Sequence, residues 1–507
     1  MNRNFALNAA MLDPLLVSHP LMSISPCKKY VGLAMLGLLV GCHAQRPDVP
    51  ADAARLTGID HAITFRQDAE AFVPAPLGDE SLTIEQAIRL ALTNDSRIQA
   101  SLARVRLAEA EANQVRLLPN PILTIDIRFP LSKNGNTAFE PTLGADLLSL
   151  LQKPAQIAAA DHRLRESAAA ALTTVLDVMT EVQEAYASSR SVDAEIENAQ
   201  RRRQRIQQLR DLAQKRLDAG EGIRLDVLTL DAQLMQAEFD GSDLNLLRID
   251  HRLALARLLG EPRSLAAWKL SPWEPPTGAL LAAESQWIDA ALFNRPEILA
   301  RLWELRALGD DLNVASFLPL QGGELAAHAE RDPDWRVGPS LTVPLPIFDF
   351  GQETREKVRA LRSVARHELV QQRLEIIQAV RLAYATYVHS RRTLSNAQER
   401  LLPLQRKQLD QAQLAYQAGE ANLATLLLAQ NDLELTLSKI LELQEKVTVA
   451  RVRLQRMAGG AGVADRVDAA AATQPAGSVP LPAINPMPLV LPATQPATSQ
   501  PAIGTPR

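Results

Sequence analysis

The feature that most constrains this 507-residue chain is an internal duplication. Five short segments recur in the same order at offsets of 198 to 200 residues: 91–98 with 291–298, 118–119 with 318–319, 185–187 with 383–385, 218–221 with 417–420, and 257–260 with 456–459. Recurrence at a fixed spacing is the signature of a duplicated structural unit. We therefore assign a first structural repeat to residues 82–260 and a second to residues 284–460.

Each repeat is predicted to contain unusually long helices. A helix of about ten residues and one of about 22 lead to a Leu-Pro pair, where proline ends the helix. After a short β region, heptad patterns cover 154–219 and 352–418, and at about 1.5 Å per residue each helix is on the order of 100 Å long. A turn at Gly220 or Gly419 then leads into a returning helix of about 36 residues. The two shorter helices together match the long one, so we expect them to stack end to end beside it.

Four short strands are predicted between the Leu-Pro pairs and the long helices. They fall within about 121–150 in the first repeat and about 321–347 in the second. Apolar and polar residues alternate over 123–129 and 340–347, and less regularly over 142–150. Alternation predicts one apolar and one polar face, which fits either a soluble hairpin or membrane strands. Four strands cannot close a barrel and an open edge cannot lie in lipid, so membrane strands would require several chains.

The N-terminus has the pattern of a bacterial export signal. Two lysines precede a ten-residue apolar stretch, 31–40, that leads to small residues. The residues Leu39-Val40-Gly41-Cys42 resemble a lipobox, in which Cys42 becomes the lipidated first residue of the mature protein. His43 follows in place of the Asp that would resemble an inner-membrane retention signal, which favours the outer membrane. The alternative is a buried thiol beside a short core helix.

The two repeats and the lipobox divide the rest of the chain into four segments. Residues 1–41 are the signal peptide region, whose start could be Met22, and residues 42–81 are a lipidated N-terminal extension. Residues 261–283 link the repeats and could pack around the helices as an equatorial belt. Residues 461–507 are rich in Pro and Ala, so we expect a disordered or extended tail.

Composition excludes several classes of protein. Hydrophobic residues make up 47% of the chain and aromatic residues 4%, which favours helices over an all-β fold. The formal net charge of -4 gives no field that would attract nucleic acid. Cys27 and Cys42 are too few for a disulfide scaffold or a structural zinc site. The chain has no catalytic motif and its histidines lack ligand spacing, so we expect no enzyme, no catalytic residue, no metal, and no cofactor besides the lipid on Cys42.

The lipobox, the duplicated helix-strand-helix unit, the run Arg116-Leu117-Leu118-Pro119-Asn120-Pro121 and the two Ala-Gly-Glu turns together resemble the TolC-like outer-membrane efflux protein family over about residues 42–460. The resemblance implies a mainly α fold with a small β part, built from long α-helical coiled-coil hairpins and four strands per chain. It further implies a homotrimer that forms a 12-stranded β-barrel and an α-helical periplasmic tunnel. Such a protein is lipid-anchored in the bacterial outer membrane and extends into the periplasm.

The same resemblance implies a function and a site. The protein would be the exit duct of a tripartite efflux pump for drugs or heavy-metal ions, with a periplasmic adaptor (membrane fusion protein) and an inner-membrane transporter as partners. The helical turns that would form the aperture and contact the adaptor contain Gly220, Glu221, Arg224, Asp226, Gly419, Glu420 and Thr425. Asp226 matches an acidic gate residue by position, whereas Thr425 stands where relatives can carry an acidic ring. The simpler interpretation is two helix C-caps and a solvated charge near a helix start.

Two other functions fit the same pattern. Type I protein secretion uses ducts of this family, and a lipid-anchored periplasmic coiled-coil scaffold that conducts nothing would share the lipobox and the long helices. The scaffold differs from the ducts in the strands, which would lie outside the bilayer.

Overall fold

Long helices and one small sheet dominate the described part of the chain, as the sequence predicts. The structure, a computed structural model, describes residues 47–60, 63–67, 81–129, 137–261, 268–273, 280, 282–331 and 334–473. The signal peptide region, Cys42, most of the linker between the repeats and the end of the tail lie outside the described residues.

The first repeat follows a short helix, α1 (Val49–Thr57). It consists of α2 (Ile84–Asn94), α3 (Ser96–Arg116), β1 (Ile122–Arg128), β2 (Ala138–Asp146), α4 (Leu147–Asp218) and α5 (Arg224–Leu258). Thr83 starts α2 with a capping box, because its hydroxyl accepts from the Gln86 backbone N–H (3.2 Å) and the Gln86 side chain accepts from the Thr83 N–H (2.9 Å). At the far end of α3, the Leu-Leu-Pro run stops the helix at Arg116.

The second repeat has the same order of elements. It consists of α6 (Glu284–Asn294), α7 (Pro296–Ser316), β3 (Glu324–Arg331), β4 (Trp335–Thr342), α8 (Gln352–Asn396), α9 (Leu402–Gln417) and α10 (Leu423–Ala458). Pro296 occupies the first turn of α7, where a missing N–H costs no helical hydrogen bond. The predicted helices are therefore present in both repeats, with ends that differ by a few residues.

Two predicted strand boundaries are wrong. The second strand ends at Asp146, and α4 begins at Leu147 in place of residue 154, because the leucine run that follows fits helical spacing better than alternation. The last strand ends at Thr342, although the alternation continues to residue 347. Pro344 and Pro346 have no N–H group to donate to a neighbouring strand.

The second long helix is interrupted, whereas a single helix was predicted. A π-helical turn, Ala397–Leu401, separates α8 from α9, and the Leu402 N–H donates to the Ala397 carbonyl five residues earlier. Pro403 explains the interruption, because it lacks the N–H that would bond to the Glu399 carbonyl and its ring crowds that carbonyl. The first repeat contains Pro154 close to the start of α4, and that helix continues to Asp218.

The tail prediction is wrong for its first residues. Residues Ala461–Thr473 form a helix, α11, which packs against α1, α6 and α10. These 13 residues contain no proline, and the prolines of the tail begin at Pro475. The glycines before α11 form a tight corner and no flexible linker: a Cβ at Gly460 would lie 2.2 Å from the Leu56 carbonyl oxygen, and its φ is +119°.

The helices form a layer in which short helices stack beside the long ones. Both α3 and α5 pack against α4, and both α7 and α10 pack against α4 and α8. The order across the layer near the turns is therefore α5, α4, α10 and then α8 with α9. This arrangement agrees with the predicted end-to-end stacking, and it leaves α5 at one side of the layer and α8 with α9 at the other.

Part of the linker packs on the middle of α4. The Tyr186 hydroxyl oxygen lies 2.8 Å from the carbonyl oxygens of both Leu82 and Ser271, to either of which it can donate its single proton. Trp273 meets the Tyr186 ring edge-on at 6.0 Å. Leu82 forms a β-bridge with Leu270. Burial in this cluster raises the pKa of Tyr186 to about 12.

Candidate functional site

The sheet has an exposed apolar face. The four strands are antiparallel and follow the order β1-β2-β3-β4, with Leu123 opposite Leu143 and Leu325 opposite Leu341. Seven side chains of this face are between 49% and 75% exposed: Leu123, Ile125, Ile127, Leu143, Leu325, Val337 and Leu341. A contiguous apolar surface of this kind marks a contact with a membrane or another protein.

The opposite face of the sheet is polar. Its side chains include Thr124, Asp126, Arg128, Glu140, Thr142, His328, Glu330, Arg336 and Ser340. Arg128 forms an ion pair with Glu140 at 2.6 Å, and the Thr142 hydroxyl lies 2.8 Å from Nδ1 of His328. A sheet that is apolar on one face and polar on the other suits a wall between lipid and an aqueous lumen.

Both edges of the sheet are open within the described chain. β1 pairs with β2 alone and β4 with β3 alone, so each outer strand keeps one row of backbone N–H and C=O groups without a strand partner. All seven residues of β1 are exposed. Such edges bind further strands readily and cannot lie unpaired in hydrocarbon.

The outer helices of the layer also carry uncovered apolar side chains. On α5, seven residues at heptad spacing are between 46% and 68% exposed: Leu225, Leu228, Met235, Phe239, Leu246, Ile249 and Leu253. We call these residues the α5 seam. On the other side of the layer, exposed apolar residues of α8 and α9 include Leu361, Val364, Leu374, Leu382, Leu404 and Leu414. Heptad seams of this type pack against a second helix.

The predicted aperture residues lie at two adjacent helical turns. Gly220 and Gly419 both have φ of +76°, the left-handed conformation in which glycine ends a helix. The backbone N–H of Glu221 donates to the Arg216 carbonyl at 2.9 Å, and that of Glu420 donates to the Ala415 carbonyl at 2.8 Å. Both turns are exposed. The sequence thus identified the turns, and the C-cap interpretation of the glycines describes their backbone correctly.

The two turns contact each other through a pair that the sequence analysis missed. The Arg216 guanidinium lies 5.0 Å from the centre of the Tyr416 ring, and its Nη1 donates to the Tyr416 carbonyl at 3.4 Å. Tyr416 belongs to one apolar cluster with Leu230 and Leu426 from the returning helices. Tyr416 lies three residues before Gly419 and Arg216 four before Gly220, and their shared place in the last helical turn before a glycine was the available signal.

The charged turn residues make no ion pairs within the described chain. These residues are Glu221, Arg224, Asp226 and Glu420, and they therefore remain available to groups outside the chain. Thr425 has a local role, because Asn422 caps α10 by accepting from both the N–H and the hydroxyl of Thr425 (2.9 Å each).

A buried charge cluster joins the second repeat to α4. Glu297 accepts from Arg295 at 2.9 Å and from Arg456 at 2.7 Å, and Arg456 also donates to Asp177 of α4 at 2.7 Å. Burial alone would raise the pKa of Glu297, but the hydrogen bonds and charges of the two arginines outweigh it and hold the pKa at about 2.

Comparison with known proteins assigns the family. The sequence profile of the family described as "Outer membrane efflux protein" matches residues 87–261 and again 287–460. The chain belongs to this family. Outer membrane efflux proteins are channel proteins of the outer membrane that extend into the periplasm, so the TolC-like fold and the outer-membrane location are confirmed.

Individual relatives agree with this assignment. The chain is 25% identical over 425 residues to the pyoverdine export outer membrane protein OpmQ of Pseudomonas aeruginosa, covering 76% of this chain and 86% of OpmQ. The outer-membrane channel OprN has a similar fold, with a TM-score of 0.61, 20% identity and coverage of 83% of this chain and 97% of OprN. CusC gives a TM-score of 0.61 at 18% identity and covers 83% of this chain and 100% of its own.

The described residues contain neither of two other kinds of site. Within the described ranges, no helix is both long and apolar enough to cross a membrane. Over the same residues, no three side chains of His, Cys, Asp or Glu are grouped so that they could hold a metal ion.

Proposed function

We propose that this efflux family member is the exit duct of a tripartite pump. Three copies close their sheets into one 12-stranded β-barrel in the outer membrane, and their helices form a periplasmic tunnel. The observation that carries the proposal is the four-stranded sheet with one exposed apolar face and two open edges. Closing the edges against identical chains would give the backbone N–H and C=O groups of β1 and β4 strand partners, which the bilayer requires.

The outer helices support the same assembly. Each copy has the α5 seam on one side of its layer and the exposed apolar residues of α8 and α9 on the other. Two different surfaces that pair head to tail generate a closed ring when the rotation is a simple fraction of a turn. The sheet edges β1 and β4 are likewise different surfaces on opposite sides, so one rotation can close the barrel and the tunnel together.

The family and the sequence also support a proposal for the cargo, the partners and the membrane anchor. We propose small toxic solutes, such as drugs or heavy-metal ions, as cargo, and the relative OpmQ is named for pyoverdine export. The partners would be a periplasmic adaptor and an inner-membrane transporter. A lipid on Cys42 would hold the mature N-terminus in the outer membrane.

The helical turns would form the periplasmic aperture. They are exposed, they are joined within a chain by Arg216 and Tyr416, and their charged residues are available to a neighbouring chain or an adaptor. Exposed ion pairs contribute on the order of 0 to 1 kcal/mol each. Weak links of this size would allow an adaptor to open the aperture.

One pair of variants on α5 tests the assembly. Leu246 is 68% exposed in a single chain, so Leu246→Glu should leave the fold intact and prevent trimer formation. Arg248→Glu introduces the same side chain on the same helix outside the α5 seam and should still assemble. The measurements are the mass of the protein in detergent and its conductance in planar bilayers.

Discrete channel openings of the wild type and of Arg248→Glu, absent in Leu246→Glu, would support the duct. Longer or larger openings in Asp226→Ala would support the aperture at the turns. A well-folded wild type that stays monomeric and never conducts would contradict the proposal and favour the lipid-anchored scaffold.

A further inference from the structure

A cleft of about 640 Å³ opens between the start of α3, the middle of α4 and the end of α10. Four arginines line it: Arg97 and Arg104 of α3, and Arg453 and Arg456 of α10. Arginine presents a fork of N–H groups that matches the geometry of carboxylate and phosphate groups. Guanidinium groups of two helices therefore border the same space, which we call the arginine cleft.

Carboxylates of α4 hold these guanidinium groups in place. Arg97 donates from Nη1 and Nη2 to Glu181, at 2.8 Å each. Arg453 donates from Nε and Nη2 to Glu184, at 2.7 Å and 3.1 Å. A guanidinium group has five N–H donors, so Arg453 keeps the other three for a further acceptor, and its side chain is 61% exposed. The paired arginines are thus oriented before a ligand arrives, which lowers the entropy cost of binding.

The lining contains more arginines than carboxylates. Three acidic residues line the arginine cleft, against four arginines: Asp177, Glu181 and Glu184. The exposed Arg104 has no carboxylate partner among the described residues. Asp95 and Glu297 also pair with lining arginines, but their side chains are 8% and 18% exposed and neither lines the cleft. Positive charge therefore exceeds negative charge on the solvent side of the cleft.

The arginine cleft lies on the face of α4 that the linker leaves uncovered. Met179 and Tyr186 belong to the apolar cluster that includes residues of α1, α11 and the linker. Asp177 and Glu184 precede them by two residues, which at 3.6 residues per turn is about 200° around the helix. The cleft and the linker are therefore on opposite faces of the helical layer. If the linker packs around the outside of the proposed tunnel, the cleft opens into the lumen.

We propose that the arginine cleft binds small organic anions and that their charged group contacts Arg104 and Arg453. Ala100 and Met457 line the same cleft and offer apolar surface to the uncharged part of such a ligand. Among the proposed cargo, the cleft favours negatively charged organic solutes over metal cations, which the excess of arginine would repel. Its position in the lumen rests on the proposed duct, whereas binding in the cleft does not.

Equilibrium dialysis of the full-length protein in detergent, at low ionic strength, tests the site. Benzoate is the probe, and benzamide has the same ring without the charge. The wild type should bind benzoate much more tightly than benzamide, because guanidinium groups form charge-assisted hydrogen bonds with a carboxylate. Equal binding of the two compounds, or no binding of benzoate, would overturn the site.

Three variants locate the binding. Arg104→Gln and Arg453→Gln remove exposed guanidinium groups of the cleft, and each should weaken benzoate binding about tenfold. Arg89→Gln is the matched control, because Arg89 is 48% exposed on α2 and lies outside the cleft, so it should bind as the wild type does. An equal loss in all three variants would indicate non-specific attraction by positive charge and would overturn the site.

Conductance in planar bilayers separates the cleft from the duct. Benzoate should reduce the current through the wild type and reduce it less through Arg104→Gln. A conducting wild type that binds benzoate without any loss of current would overturn the position of the cleft in the lumen. A protein that never conducts would contradict the proposed duct, whereas the dialysis of the variants would still decide whether the cleft binds anions.

Discussion

Glu297 allows a test of what holds the second repeat against α4. Glu297→Gln keeps the shape of the side chain and one acceptor oxygen but removes the negative charge. Arg295 and Arg456, which are 7% and 6% exposed, then lose the carboxylate that they share. Removing one partner of a buried ion pair leaves an uncompensated charge in a poorly solvated site, which destabilises the fold.

The magnitude follows from the pKa. A carboxyl group whose pKa falls from 4.5 to about 2 on folding contributes on the order of 3 kcal/mol to the free energy of unfolding at neutral pH. Loss of one partner in buried pairs of this kind costs roughly 3 to 5 kcal/mol, which agrees with the free energy derived from the pKa. Because the pKa of Glu297 is lowered in the folded state, its contribution is complete above the unfolded value of 4.5 and is lost as the pH falls toward 2.

The assay is guanidinium unfolding of the full-length protein in detergent, followed by far-ultraviolet circular dichroism at neutral and acidic pH. Glu442→Gln is the matched control, because hydrogen bonds from Lys439 and Lys446 also hold the pKa of Glu442 at about 2, but on an exposed surface. Solvent screens that site, so we expect a much smaller effect than for Glu297→Gln. Equal effects of the two variants, or a loss in Glu297→Gln that persists unchanged at low pH, would refute the reasoning.

Three further predictions concern the ends of the chain and the tight corner before α11. Gly460→Ala should lower the unfolding midpoint, because its Cβ would overlap a backbone carbonyl, whereas Gly309→Ala, in an open helical position, should raise stability by about 0.5 to 1 kcal/mol. Asp468→Asn removes the 2.6 Å partner of Arg451, which is 2% exposed, so limited proteolysis should cut α11 faster than in the wild type. Cys42→Ser should abolish labelling with radioactive palmitate, and persistent labelling would contradict the lipobox interpretation.

The sequence predicted the helical elements well because their signals are local. Heptad spacing and the Leu-Pro stops are both read from neighbouring residues, and the two repeats supplied the same evidence independently. The strand ends were predicted less well, because side-chain alternation continues through Pro344 and Pro346, where the hydrogen-bond ladder cannot. The 3.5-residue spacing of the α5 seam is also visible in the sequence, although the seam was not predicted from it.

Contacts between the repeats could not be predicted in the same way. The Arg216–Tyr416 contact joins residues 200 apart, and no local pattern pairs an arginine of one repeat with a tyrosine of the other. In α11, an alanine-rich segment without aromatic residues looked like part of the tail. Its helix is stabilised by α1, α6 and α10 packed around it, and no local pattern reveals that packing.

The π turn before Pro403 makes the two hairpins mechanically unequal. A continuous helix such as α4 resists bending along its whole length, whereas a helix with a missing hydrogen bond bends most easily at the defect. In a ring of three copies, stiff first hairpins and more easily bent second hairpins would therefore alternate around the tunnel. Force applied at the turns would deflect the second hairpin of each copy more than the first.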